Sequence, residues 1–372
     1  MIKATKRTRH KQHTHTHKHT HTHTHEQTNK HTIHIQRMDT VFHFLKRFIP
    51  REYYGKVLYK SKLNHDTQKL IILPIEKRKS DSLQEQISSV AEIEENKEQD
   101  NSSNNTKKEF INTEKRGRFM FYPGQWMDFI PKDDKSAATG FSMTNSPNSP
   151  YLFHENELHF AIKLTNHKIT KYIHSDDCKV GELIDMYGPE GKFVYVQPKK
   201  QIPLGKNPLT KVNLIAGGIG ITPLCSIWNS VYYKTQVLPS TEVKLLYSAK
   251  QIEDFIFVDH FIESSRKNTK CPMHVHFNAS NMTETDLEGE NQKIIANKMD
   301  QNLTFGSINE ALLKRVFFSD SSANENMKWG LFYICGPQPM IEQLSRMLIN
   351  MGVAMEHIIY ESWWQKDSYI LY

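Results

Sequence analysis

The 372-residue chain predicts two parts in series, a strand-rich first part and an α/β second part built on a parallel sheet. Three observations carry that expectation. From Lys211 onward, apolar strand-like runs alternate with helical patterns, the mark of consecutive βαβ units. Two of those runs, starting at Val212 (VNLIAGG) and Leu331 (LFYICGP), stop at glycine-bearing edges. Open α/β sheets hold ligands outside the carboxyl ends of their strands, so two such edges imply one ligand spanned by both. Upstream, Tyr53–Ile75 reads as strand, turn, strand, and strand-like runs resume at Phe119 and continue to about Val196.

Taken in order, Val57, Tyr59 and Leu70 to Leu73 are the inward-facing candidates of the first hairpin. Residues 76–118 are rich in Glu, Lys, Ser, Asn and Gln and read as a solvated insertion. Pro198–Pro208 reads as a linker, which divides the chain into a tail at 1–38, a first domain at 39–207 and a second at 208–372. A second polar insertion is expected at 283–304.

The edge after Val212 has a mechanical reading. Val212, Leu214, Ile215 and Ala216 form a short buried strand. Gly217, Gly218 and Gly220 permit positive φ and close approach of main chain to a ligand. Thr222 suits an N-cap and Pro223 the first helical position. Leu224, Ile227, Trp228 and Val231 then recur at the spacing of one buried helix face. Unpaired N–H groups at such a helix start attract a pyrophosphate. The spacing G-G-x-G-x-T-P differs from G-x-G-x-x-G, and an ordinary strand–helix turn satisfies it equally well.

Composition excludes several classes. The net charge of +7 resides in the tail: residues 1–38 carry eight Lys/Arg against one acid, and the other 40 basic residues balance 40 acidic ones. No nucleic-acid surface is expected on the folded part. The tail alternates Thr and His, cannot bury a core and reads as disordered. It is either a metal-binding tract, since neutral imidazoles ligate zinc, copper or nickel, or a translated repeat without a role. Met38 offers an alternative start. Val41, Phe42, Leu45 and Phe48 with Lys46 and Arg47 form either a short amphipathic targeting segment or a core-packing one. No run of about eighteen apolar residues occurs, so no membrane span is expected, and the apolar region of a secretory signal is missing. Cys178, Cys225, Cys271 and Cys335 lie far apart, which disfavours an iron–sulfur centre or structural zinc and fits reduced thiols.

GGIGITP at 217–223, followed by CGP at 335–337, resembles the pyridine-nucleotide half of the ferredoxin–NADP reductase superfamily. Pro123-Gly124-Gln125-Trp126 resembles a strand of that superfamily's flavin barrel, Gly140-Phe141-Ser142 its R-x-Y-[ST] motif, and Gly188-Pro189-x-Gly191-x-Phe193 its G-P-x-G-x-F turn. GQWMDFIP, GFSMTNSP, AIKLTNHK, LLYSAK, YICGPQPM and YESWW are similar, in that order, to the oxidoreductase NAD-binding domain-containing (OXNAD-type) family, a group assigned mainly to mitochondria. The likeness runs roughly from Tyr53 to Trp364. It implies an antiparallel Greek-key β-barrel of flavin-binding type followed by the NAD(P)-binding α/β domain, with mitochondrial location and, failing that, a cytoplasmic one.

The same resemblance implies residue roles. Phe141 would stack on a flavin ring and Ser142 bond near its reactive nitrogen, while Thr139 stands where the motif has Arg, removing a bidentate phosphate contact. Lys163 and Thr170, with Lys168 and Lys171 nearby, would meet flavin phosphate, or are merely a solvated strand end. Gly217, Gly218, Gly220, Thr222 and Pro223 would hold pyrophosphate, and Ser248 and Lys250 the adenosine ribose. Cys335, with Gly336 and Pro337, would position the nicotinamide, or is a structural thiol. Glu361 and Trp363 would lie by the flavin, or the Trp pair closes an interface. Ser142, Cys335 and Glu361 are thus the catalytic candidates. The implied cofactors are NAD(P)H and FAD, with FMN possible, and the implied partner is an unidentified electron acceptor, protein or small molecule. Three functions follow: a flavin-dependent NAD(P)H reductase, a non-catalytic nucleotide-binding protein that has lost flavin, and a metal-binding histidine tail on a reductase-like scaffold.

Overall fold

The computed structural model describes residues 50–77, 119–196, 211–233, 241–268, 271–319 and 330–361. The Thr/His tail, the segment around Phe42, the insertion from 78 to 118, the 198–208 linker and Trp363 lie outside those residues.

The first part is an antiparallel sheet of β1 (Arg51–Lys62), β2 (Thr67–Glu76), β3 (Trp126–Ile130), β4 (Thr139–Ser142), β5 (Leu158–Lys163) and β6 (Leu183–Glu190). Its order is β4-β3-β6-β1-β2-β5. Met143, just past β4, bridges to Phe160 in β5, so the two edges meet and the sheet curls into a near-barrel. Its interior holds Val57, Leu70, Ile72, Met127, Phe129, Phe160 and Met186. A seven-residue helix α1 (Lys168–His174) leads from β5 toward β6 and buries Ile169 and Ile173 in the same core.

Tyr59, expected inward, is 38% exposed. A bulge between Val57 and Tyr59 shifts the β1–β2 register, and in a strand one slipped residue reverses the face every later side chain takes. Its ring instead stacks on Phe153, with centroids 6.0 Å apart.

The second part is wholly parallel: β7 (Lys211–Gly217), β8 (Glu242–Ala249), β9 (Met273–Ala279), β10 (Leu303–Phe305), β11 (Leu331–Cys335) and β12 (Ile358–Glu361). Helices α2 (Ile221–Tyr233), α3 (Val258–Lys267), α4 (Glu290–Met299), α5 (Glu310–Phe317) and α6 (Gln338–Asn350) connect them in turn. One face packs Leu214, Ala216, Leu224, Trp228 and Phe261, the other Ile215, Leu313, Phe332 and Leu344. Polar composition at 283–304 conceals ordered structure: α4 and β10 fall within it, anchored by buried Ala296 and Met299. Only two of the ten α4 residues are buried while Ile294 is exposed, so the apolar positions do not read as one buried face.

The strand order β10-β9-β8-β7-β11-β12 decides where a ligand can sit. After β7 the chain builds outward through β8, β9 and β10, then returns to set β11 on the opposite side of β7. The connecting segments therefore leave β7 and β11 in opposite directions and part at their carboxyl ends, which opens the crevice that doubly wound sheets use for ligands.

Candidate functional site

Both glycine edges flank that crevice. Cys335 pairs with Ala216 of β7 on one side and with Glu361 of β12 on the other. The two motifs also fit into one another. A β-carbon on Gly220 would lie 2.3 Å from the Cys335 carbonyl oxygen, and one on Gly217 would lie 2.6 Å from Met340 Sδ and 2.9 Å from Pro337. Gly336 faces Met340 and the main chain of Gly217 in return. Gly218 differs: its φ is +54° and a β-carbon there would meet nothing within 4 Å. Only this glycine of the three has positive φ, so Gly217 and Gly220 serve strand and turn packing while Gly218 alone faces open space.

The turn Gly218–Gly220 is a 3-10 turn that runs directly into α2. Thr222 and Pro223 consequently sit inside the first helical turn, two residues deeper than an N-cap and first position. The Thr222 hydroxyl donates back to the Ile219 carbonyl at 3.0 Å and braces the turn. Ser248 lies one residue before the end of β8, where its hydroxyl donates to the Asn278 carbonyl and accepts from the Asn278 side-chain amide, both at 3.2 Å. Lys250 is exposed just beyond it.

The Cys335 thiol is buried, and burial first, then the neighbouring Glu361 charge, pushes its pKa well up. It is held as a neutral thiol, fit to pack against a ring and unfit as a nucleophile. Glu361 is itself buried beside it.

On the barrel, Phe141 is half-buried and packs edge-on against Phe129 with centroids 5.0 Å apart. Its neighbour Ser142 is buried on the opposite side of β4, in register with Trp126. The side chains expected to meet phosphate already have protein partners. Lys163 forms a 2.7 Å ion pair with Asp66; burial opposes Asp66 ionisation, but Lys163 and the Thr67 hydroxyl outweigh it and hold its pKa below the usual range. Lys168 lies 3.4 Å from Asp133 and 3.5 Å from Asp134. Thr170 is buried, donates to the His167 carbonyl at 2.9 Å and shares a 3.0 Å contact with the Thr165 hydroxyl. Thr139 donates to the Ala137 carbonyl at 3.2 Å.

The two halves touch through residues that motif reading misses. Ser226 Oγ of α2 donates to the Asn145 carbonyl at 2.6 Å, and Asn229 Nδ2, one turn on, donates to the Thr144 carbonyl at 2.9 Å. Phe193 and Tyr195 pack edge-on against Tyr333 of β11, whose hydroxyl donates to the Val194 carbonyl at 3.3 Å. One signal was available in the sequence. Residues 221–233 (ITPLCSIWNSVYY) contain no charged residue, so the Ser226/Asn229 side of the helix was not built for water.

An antiparallel near-barrel followed by a parallel sheet is the fold of ferredoxin reductase-like structures. The cytochrome b5 reductase domain of Ulva prolifera nitrate reductase superposes with a TM-score of 0.57 at 15% identity, covering 84% of this chain and 97% of that one. The flavohem-like FAD/NAD-binding domain of nitric oxide dioxygenase from Vibrio cholerae gives 0.53 at 16% identity, covering 84% and 97%. The family model for the oxidoreductase NAD-binding domain matches residues 214–346. Human oxidoreductase NAD-binding domain-containing protein 1 is 30% identical over 260 residues, which is 66% of this chain and 72% of the relative. The chain belongs to the oxidoreductase NAD-binding domain-containing protein family.

Proposed function

We propose that the chain is an NAD(P)H-dependent reductase that uses a flavin held at the barrel rim and hands electrons to a separate acceptor, protein or small molecule. The observation that carries this reading is the switch point between β7 and β11, where Gly218 faces open space and the buried Cys335 ends the neighbouring strand. The bare main chain at Gly218 and the start of α2 would meet pyrophosphate, and Lys250 offers a cation to a ribose 2′-phosphate.

When bound, a flavin supplies an acceptor that takes two electrons as hydride and releases them singly or together. The chain's own contribution is positional. The neutral, buried Cys335 thiol would back the nicotinamide site, Phe141 would present a half-buried ring to the flavin, and Ser142 would supply a hydroxyl near it. The ring positions therefore suit a flavin. The phosphate positions suit it less, because Lys163, Lys168 and Thr170 are engaged within the barrel. We infer a readily exchanged flavin. That same engagement supports a second reading, a nucleotide-binding protein without flavin chemistry.

The deciding experiment equilibrates the full chain with FAD or FMN and adds NADH or NADPH without oxygen. Bleaching of the flavin colour supports the reductase. Nucleotide binding with no flavin retained or reduced, at saturating flavin, leaves the second reading.

A further inference from the structure

Helix α2 meets both halves of the molecule at once. Its first turn continues directly from the Gly218–Gly220 turn, and its next two turns carry Ser226 and Asn229, three residues apart and so on one side. Those two side chains donate to consecutive carbonyls of the barrel, Asn145 at 2.6 Å and Thr144 at 2.9 Å. The carbonyls belong to the segment that leaves β4 immediately after Phe141, Ser142 and Met143.

This junction is fully buried and tied from every side. Thr144 N–H donates to the His159 carbonyl at 2.8 Å. The Asn145 side chain donates to the Glu157 carbonyl and accepts from His159 N–H, each at 2.9 Å. The orientation of Asn229 is fixed by chemistry: a carbonyl only accepts, so the NH2 group must face Thr144 and Oδ1 must face His260. His260 Nε2 lies 2.7 Å from that oxygen and must carry the proton. Burial lowers the His260 pKa, which keeps the imidazole neutral. The result is a relay from α3 through α2 to the barrel, His260 to Asn229 to Thr144.

We propose that Ser226 and Asn229 are positioning residues: they clamp the exit of β4 to the helix whose start receives the dinucleotide, so that ordering at the nucleotide turn is transmitted to the Phe141–Ser142 strand end. The inference rests on nucleotide binding at Gly218, and its catalytic consequence rests on the flavin reading above. A misplacement of about 1 Å between reacting groups lowers a rate on the order of 100-fold.

The test uses the full chain and the double variant Ser226→Ala/Asn229→Leu. NADH should bind both with affinities within about twofold, because the main-chain turn is untouched. In the wild type NADH should slow hydrogen exchange at the amides of 143–146; in the double variant that protection should vanish. With flavin present, the single-turnover reduction rate should fall on the order of tenfold to 100-fold at unchanged KM. A folded double variant with full protection at 143–146, or with a wild-type reduction rate, overturns the proposal. Absence of flavin reduction in the wild type sinks the reductase reading alone, since the exchange measurement needs only NADH. If the double variant does not fold, Ser226→Ala, which removes a single hydroxyl, gives the same two readouts.

Discussion

Between β7 and β11 the contacts that shape the crevice are glycines against main chain and apolar side chains, whereas at the barrel rim they are polar side chain against polar side chain. Gly220 lies on the Cys335 carbonyl and Gly217 on the Pro337 and Met340 side chains, and Gly218 leaves bare backbone facing open space, so the nucleotide edge follows from where the glycines stand. At the rim, Lys163 answers Asp66, Lys168 answers Asp133 and Asp134, and Thr170 answers Thr165 and His167. A phosphate site made of main chain survives most substitutions because the fold itself supplies the donors. One made of side chains can be dismantled residue by residue.

The contrast predicts its largest effect at Gly220. Gly220→Val forces a β-carbon into the Cys335 carbonyl, where no flexible atom can yield. Overpacking a core ordinarily costs about 1–3 kcal/mol, and a clash with main chain should exceed that. Denaturant melts should show loss of most of the stability, and a variant within 1 kcal/mol of wild type, by the scale of about 1 kcal/mol for a modest core change, would mean that the edges do not interlock. Gly218→Val is the matched control. Its side chain enters open space at a left-handed φ, a strain of about 1–2 kcal/mol, so the protein should fold. Its NADH Kd should rise at least tenfold, because each hydrogen bond to a charged phosphate is worth about 1.5–3 kcal/mol. An unchanged Kd would remove the pyrophosphate from this turn.

The same contrast explains what could be read in advance. Strands β7 and β11 and the buried face of α2 are legible because Val212–Ala216, Leu331–Cys335 and the Leu224/Ile227/Trp228/Val231 spacing are local apolar patterns with one structural solution. Tyr59 was misread because a bulge leaves no mark in alternation. Helix α4 hid because its burial rests on Ala296 and Met299. The Ser226 and Asn229 contacts join residues 81 and 85 positions apart through uncharged polar groups, and no local pattern encodes a partner at that separation. Partner choice is hidden at Lys163 as well: the sequence shows a cation at a strand end but not Asp66 opposite it.

Restoring charge at the rim should sharpen the contrast by a smaller amount. Thr139→Arg reinstates a guanidinium on a half-exposed strand end, and a charge-assisted phosphate contact of about 1.5 kcal/mol or more corresponds to roughly tenfold in affinity. Flavin titration of the full chain should show that gain, with NADH affinity unaltered. If flavin affinity stays flat, the phosphate does not lie beside β4.

The smallest effect concerns Asp128, which lies across β3 from Gly140 of the same β4 motif. Burial first, and then repulsion from Glu190, raises its pKa to about 6, and burial raises that of Glu190 as well. A carboxyl with a raised folded pKa favours the folded state while protonated. Its contribution is fully present below the unfolded pKa near 3.8 and is lost as pH rises through about 6. At pH 7 the ionised Asp128 is therefore a net penalty, on the order of 1 kcal/mol after solvent screening of a half-buried group. Asp128→Asn should raise the melting temperature at pH 7 by a few degrees and leave it nearly unchanged at pH 3. It should also strengthen flavin binding slightly, by removing negative charge one strand from the motif. Equal stabilisation at both pH values would assign the gain to packing and leave the rim's electrostatics out of the comparison.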